Sequence, residues 1–133
     1  MHSRFWIILW ILGILFPMAS LGNHWPPFGR VFNVVFAPGW THIAMHTFLY
    51  LVLAFLLAQW RRPVSAKAIL LLLGVIVVIA ICQEGLQWLT IKSEIGWSAS
   101  TFDLAVDLAG TFVGLALSRL WPSRCPGAAV KQK

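Results

Sequence analysis

Acidic side chains are nearly absent from this sequence: Asp and Glu together number 4. Charged residues of both signs make up only 11% of the chain, against about 25% in a typical soluble domain. Such a composition cannot cover a water-facing surface, so a soluble globular domain is excluded. Cysteine is equally scarce, at 2 residues, and no Cys-x-x-Cys occurs. A disulfide framework and a thiolate metal ribbon are therefore excluded. Cys82 lies in an apolar run and Cys125 in the basic tail; on the topology below they fall in opposite halves of a membrane, so no disulfide between them is expected. Internal repeats and low-complexity segments are absent. The formal net charge of +6 does not point to nucleic acid, because the basic residues lie in short segments between apolar runs and form no patch.

What the chain has instead is apolar surface. It is 59% hydrophobic and carries 8 Trp, several near the ends of apolar runs, where amphipathic rings favour the headgroup zone. Four such runs are legible, at about 5–21, 42–60, 66–91 and 102–121. A hydrocarbon core of roughly 30 Å needs about 20 helical residues, and unpaired backbone groups are not tolerated in lipid. The expectation is an all-α, polytopic membrane protein: one membrane domain over 1–133 with four transmembrane helices. The first run also resembles a secretory signal, with Arg4, a short apolar stretch and Met18-Ala19-Ser20 as a cleavage site. On a four-helix topology Arg4, Arg61, Arg62, Lys67, Arg119, Arg124, Lys131 and Lys133 share one side, while Arg30 and Lys92 lie on the other. The positive-inside rule then makes both termini cytoplasmic. The 22–41 loop falls outside; its apolar piece Val31–Phe36 is expected to lie along the interface or fold back over the helices, as a packed connector or as a lid over a site.

The polar residues within the runs sort onto one level. "THIAMHTFLY" places His42, His46 and Tyr50 four apart, on nearly one helical face. "ICQEGLQWL" offers Gln83, Glu84 and Gln87; "STFDLAVDLAG" offers Asp103 and Asp107, continued on the same stripe by Gly110 and Gly114. With about 1.5 Å of rise per residue, His46 lies roughly 6 Å, Glu84 roughly 10 Å and Asp107 roughly 8 Å inside their helix ends. Ionisable groups are costly in a bilayer and mark sites when they converge. The expected polar cluster is therefore His46, Tyr50, Glu84, Gln87, Asp103 and Asp107, with Gly110 and Gly114 as a close-packing stripe. Asp103 is explained by the start of its helix, where a carboxylate meets the helix dipole, or it shares a proton with Asp107 as a like-charge pair. Asp107 lies too deep to cap and needs a partner such as His46 or Gln87. His42 and His46 have the spacing of a helical metal pair, but without a fuller motif the sequence assigns no metal and no cofactor.

These three blocks resemble the VanZ-like family of small bacterial membrane proteins. That family shows His-x-x-x-Tyr on one helix, Glu-x-x-Gln ending the next, and Asp-x-x-x-Asn-x-x-Gly-x-x-x-Gly opening the last. The matching positions are His46 and Tyr50, Glu84 and Gln87, and Asp103, Asp107, Gly110 and Gly114, within about residues 40–118. Two departures stand out: Asp107 occupies the Asn position, and the Arg usual just before the last motif is missing from "EIGWSASTFD". The resemblance implies a multi-pass protein of the bacterial inner membrane acting near the cell envelope, with a link to glycopeptide (teicoplanin) resistance by analogy.

Three function classes fit these observations. The first is a non-enzymatic membrane protein whose outer-leaflet cluster binds a lipid head group or small amphiphile, or modulates the envelope. The second is an intramembrane enzyme on a lipid-linked substrate, with His46 as base and Glu84 or Asp107 as acid; no nucleophile or metal motif supports it. The third is an accessory subunit of a larger membrane complex. The lipid bilayer is the partner common to all three.

Overall fold

In the computed structural model, residues 2–16, 21, 24–36, 38–91 and 97–121 are described, and they are helical with short connections. Among the described residues five helices follow in order: α1 (His2–Leu15), α2 (Pro26–Phe36), α3 (Gly39–Arg61), α4 (Ala66–Ile91) and α5 (Trp97–Leu120). No strand occurs among the described residues. Three segments are long and apolar enough to cross a membrane: Gly39–Arg61, Ala66–Leu89 and Ser100–Leu120. Helix α1 is apolar but has 14 residues, or about 21 Å at helical rise, short of a 30 Å core. The candidate cleavage site at Met18–Ser20, Lys92, Cys125 and the tail lie outside the described residues.

The sequence expectation placed two helix starts too late. α3 begins at Gly39 and α5 at Trp97, because Thr41, Ser98, Ser100 and Thr101 are polar yet accept helical backbone; the end of an apolar run is not the end of a helix. His46 thus lies about 10 Å and Asp107 about 15 Å from its helix start. The 26–36 stretch, expected as a connector, is the helix α2. Pro26 and Pro27 sit in its first turn, where the missing N–H is no loss. Its Phe28, Phe32 and Phe36, four apart, pack with tilted rings whose centroids are 5.9 and 4.5 Å apart.

The core follows helical spacing. On α3 the buried residues are His46, Tyr50, Leu53, Ala54, Leu57 and Ala58; on α4, Leu72, Ile76, Ile79, Ala80 and Gln83; on α5, Asp103, Asp107, Gly110, Thr111 and Gly114. Each set recurs at three and four residues, one stripe per helix. The opposite faces expose Phe48, Leu71, Val75, Val78 and Phe112, as suits side chains whose solvent is lipid. Ile7 and Ile14 of α1 join the core, and Trp10 Nε1 donates to the Leu49 carbonyl of α3 at 2.9 Å.

The largest helix–helix interface is between α3 and α5. His42 meets Asp103 and His46 meets Asp107, each pair 61 residues apart in sequence; partner numbers rise together, so α3 and α5 run parallel, with α4 returning between them. Glycine makes this closeness possible. A Cβ at Gly110 would overlap the Thr47 carbonyl oxygen, and one at Gly114 would overlap that of Leu51 and stand 3.0 Å from Ala54 Cβ. The expected small-x-x-x-small stripe is therefore a backbone-to-backbone contact.

The opposite end of the bundle is basic. α3 is capped by Arg62, a left-handed residue at φ 46° whose N–H bonds the Ala58 carbonyl, just before Pro63. The Arg4 guanidinium lies 5.6 Å and that of Arg61 4.3 Å from the Trp60 ring. Nearby, a cavity of about 220 Å³ is lined by Ala58, Gln59, Arg62, Val64, Leu115 and Arg119 among others. It contains no acid or histidine, so it is separate from the polar cluster.

Candidate functional site

The polar cluster is built as a ladder between parallel helices. Because α3 carries His42, His46 and Tyr50 at intervals of four, and α5 carries Asp103 and Asp107 at the same interval, one register aligns two pairs at once. In the first rung His42 Nε2 and Asp103 Oδ1 are 3.2 Å apart, with the histidine side chain still 42% exposed. In the second, His46 Nδ1 and Asp107 Oδ1 are 2.9 Å apart, with side chains only 5% and 1% exposed. The two imidazoles lie against each other, ring centroids 4.5 Å apart. One turn deeper, the Tyr50 hydroxyl donates to Gln83 Oε1 at 2.7 Å and ties α3 to α4. The Thr111 hydroxyl, also buried, donates to the Asp107 backbone carbonyl at 2.8 Å.

Glu84 of α4 closes the group. It is half-buried, the Ser100 side chain of α5 hydrogen-bonds it, and it stands within electrostatic range of Asp103, His46 and Asp107. Gln87 is half-buried one turn along α4. The sequence reading thus placed its residues on the right helices, but two details differ. Asp103 is not at the helix end. It sits in the second turn of α5, whose first turn has no acid, and it pairs with His42. Nor do the two aspartates face each other as a proton-sharing pair; each Oδ1 meets its own histidine. Gln83, Ser100 and Thr111 were missed as members. For Thr111 a signal existed, since it lies four residues beyond Asp107 on the same stripe.

Two features make this more than a packed polar seam. First, Glu84 Oε1 and Asp107 Oδ2 are buried without a hydrogen-bond partner among the described residues. Buried polar atoms are nearly always satisfied, and an orphan acceptor costs about 1–3 kcal/mol. Second, the stretches of helix around the cluster supply no cation. Between Gly39 and Trp60, Ala68 and Ile91, and Trp97 and Ser118 the sequence has no Lys or Arg. Three carboxyl groups therefore face only two imidazoles from their own helices. The arrangement can accept hydrogen bonds or hold positive charge; it is poorly suited to gripping an anion directly.

The Tyr50–Gln83 bond gives a contained test. Tyr50→Phe leaves Gln83 Oε1 without its donor at a fully buried position. Hydrogen bonds between membrane helices average roughly 0.6 kcal/mol, while stranded buried acceptors cost about 1–3 kcal/mol. Destabilisation by about 1 kcal/mol is expected in mixed-micelle unfolding, and Gln83→Leu added to Tyr50→Phe should recover part of it. A fully additive double variant would show that the bond contributes nothing.

No family model, no curated protein and no solved structure matches this chain.

Proposed function

We propose that the protein is a non-enzymatic, VanZ-like integral membrane protein of a bacterial inner membrane that binds the head group of a lipid or small amphiphile at the His46–Glu84–Asp107 cluster. The observation that carries this reading is the pair of buried, unpartnered acceptors, Glu84 Oε1 and Asp107 Oδ2. A head group that donates hydrogen bonds, above all a primary ammonium, satisfies both oxygens and offsets the excess of carboxyl groups. The site lies about 10–15 Å from one end of α3 and α5, with the partly exposed His42 rung between it and that end. Arg4, Arg61, Arg62, Lys67 and Arg119 lie toward the other, which supports a cytoplasmic basic end.

The test is lipid selectivity. Purified protein in nanodiscs is titrated with phosphatidylethanolamine, phosphatidylcholine and phosphatidylglycerol, and retained lipid is read by native mass spectrometry. Preference for the primary-amine lipid over the other two is expected. A charge-assisted hydrogen bond is worth about 1.5–3 kcal/mol, so Asp107→Ala and Glu84→Gln should each weaken that preference by about tenfold to a hundredfold. Equal retention of all three lipids by the unaltered protein would overturn the proposal.

A further inference from the structure

The outer rung of the ladder, together with His46 of the rung below, carries the donor set of a metal site. His42, His46 and Asp103 each present one ligand atom, and the three atoms lie within 4.8 Å of one another. His42 Nε2 and Asp103 Oδ1 are 3.2 Å apart; two ligands of a tetrahedral ion at about 2.0–2.1 Å are separated by roughly 3.3 Å. The geometry points to a divalent first-row transition ion, zinc in the first place, bound by His42, His46 and Asp103. It rests on the reading that the cluster is a ligand site, and it names what that site holds.

Several observations favour an ion here over a simple His–Asp seam. The sequence spacing presents both imidazoles from one face of α3, with ring centroids 4.5 Å apart, and two imidazoles so close gain from a shared cation between or beside them. Asp107 sets the tautomer of His46. With the proton held between Asp107 Oδ1 and His46 Nδ1, 2.9 Å apart, the lone pair is left on Nε2. That is the carboxylate–histidine–metal arrangement by which outer carboxylates orient ligands. The orienting carboxyl is 1% exposed and its other oxygen has no partner among the described residues, so negative charge is concentrated beside the imidazoles, and the stretches 39–60, 68–91 and 97–118 hold no Lys or Arg to offset it. Imidazole nitrogen with carboxylate oxygen is a donor set that zinc and its neighbours accept and that calcium and magnesium use poorly.

Three protein ligands leave a coordination position open. A head-group phosphate oxygen suits that position, while the ammonium of the same head group suits Glu84 Oε1 and Asp107 Oδ2. The ion thereby supplies the anion-binding element that the helices lack. The exposed half of His42 gives the ion a route from the membrane surface.

The experiment uses full-length protein without a polyhistidine tag, carrying Cys82→Ser and Cys125→Ser so that no thiol contributes. The protein is stripped with a chelator and titrated with Co²⁺, followed by visible d–d absorption, and with Zn²⁺, followed by elemental analysis after desalting. About one ion per chain is expected, with a cobalt spectrum of nitrogen and oxygen ligands. His42→Ala and Asp103→Asn should weaken binding by more than a hundredfold, and Asp107→Asn by about tenfold to a hundredfold as an orienting residue. His42 is partly exposed, so its removal leaves the buried rung in place; circular dichroism checks that the variants are folded. Failure of the unaltered ladder to retain either ion overturns the inference, as does retention undiminished in His42→Ala and Asp103→Asn. Lipid selectivity measured on the stripped protein separates the two readings. Amine-lipid preference without metal binding sinks only the metal site, and metal binding without lipid preference sinks only the head-group reading.

Discussion

Gly114→Ala is expected to drive α5 off α3 and cost about 3 kcal/mol, with Gly110→Ala close behind and Gly114→Leu leaving no stable bundle. The magnitude is the upper end of the range for overpacked cores, about 1–3 kcal/mol. It belongs at that end because the new methyl meets backbone, not a side chain that can turn aside. At Gly110 the obstacle is the Thr47 carbonyl; at Gly114 it is the Leu51 carbonyl with Ala54 Cβ behind it. Carbon needs roughly 3.5 Å of clearance, so the helices must part by on the order of 1 Å along the largest interface in the molecule. Both ladder rungs would then stretch. The chain contains its own controls: a Cβ at Gly13, Gly74 or Gly85 meets nothing within 4 Å. Alanine there should be neutral or stabilising, since Gly costs about 1 kcal/mol relative to Ala inside a helix. Unfolding by sodium dodecyl sulfate in mixed micelles reads all five single alanine variants on one scale. Equal effects at Gly114 and Gly74 would show that the α3–α5 contact is not as close as described.

Asp107→Ala should be the most damaging polar substitution, at about 2–3 kcal/mol. It strands His46, itself 4% exposed, with no carboxylate on its Nδ1. Pairwise hydrogen bonds between membrane helices reach only about 1.7 kcal/mol at most. The larger figure is expected because the loss leaves a buried group unsatisfied. Asp107→Asn separates the two components. It keeps an acceptor for the histidine and removes the charge, so most stability should remain while metal retention and amine-lipid preference fall. His46→Ala and Asp107→Ala combined should cost less than their sum by about 1 kcal/mol or more, the coupling that a contacting pair shows. Additivity within about 0.5 kcal/mol would mean that the 2.9 Å pair is incidental to the fold.

Much of this was legible from composition and spacing. A chain with so few charges and long apolar runs has only helices available to it in lipid, and the interval of four on both α3 and α5 announced a shared face. What could not be read was register. Gln83, Glu84 and Gln87 are equally good candidates until the rotation of α4 is known, and only the structure shows Gln83 under Tyr50. The start of α5 was hidden for a different reason. Hydropathy marks where a helix enters lipid, whereas hydrogen bonding marks where it begins, and Trp97–Thr101 belongs to the second class only. That gap turned Asp103 from a paired residue into an apparent helix-end residue. α2 was hidden because two prolines read as punctuation, although proline in a first turn is compatible with a helix.

The equal interval on the two parallel helices also behaves as a vernier. Sliding α5 by one residue along α3 misaligns both histidine–aspartate pairs and both glycine contacts together. Sliding it by four, about 6 Å, brings Asp103 opposite His46 and Gly110 opposite Leu51, but strands His42 and Asp107. The bundle therefore has one preferred setting and a well-defined next-best one, a full turn away. The second mark on each scale is what creates that next-best setting, since a single histidine–aspartate pair would be lost in any slide.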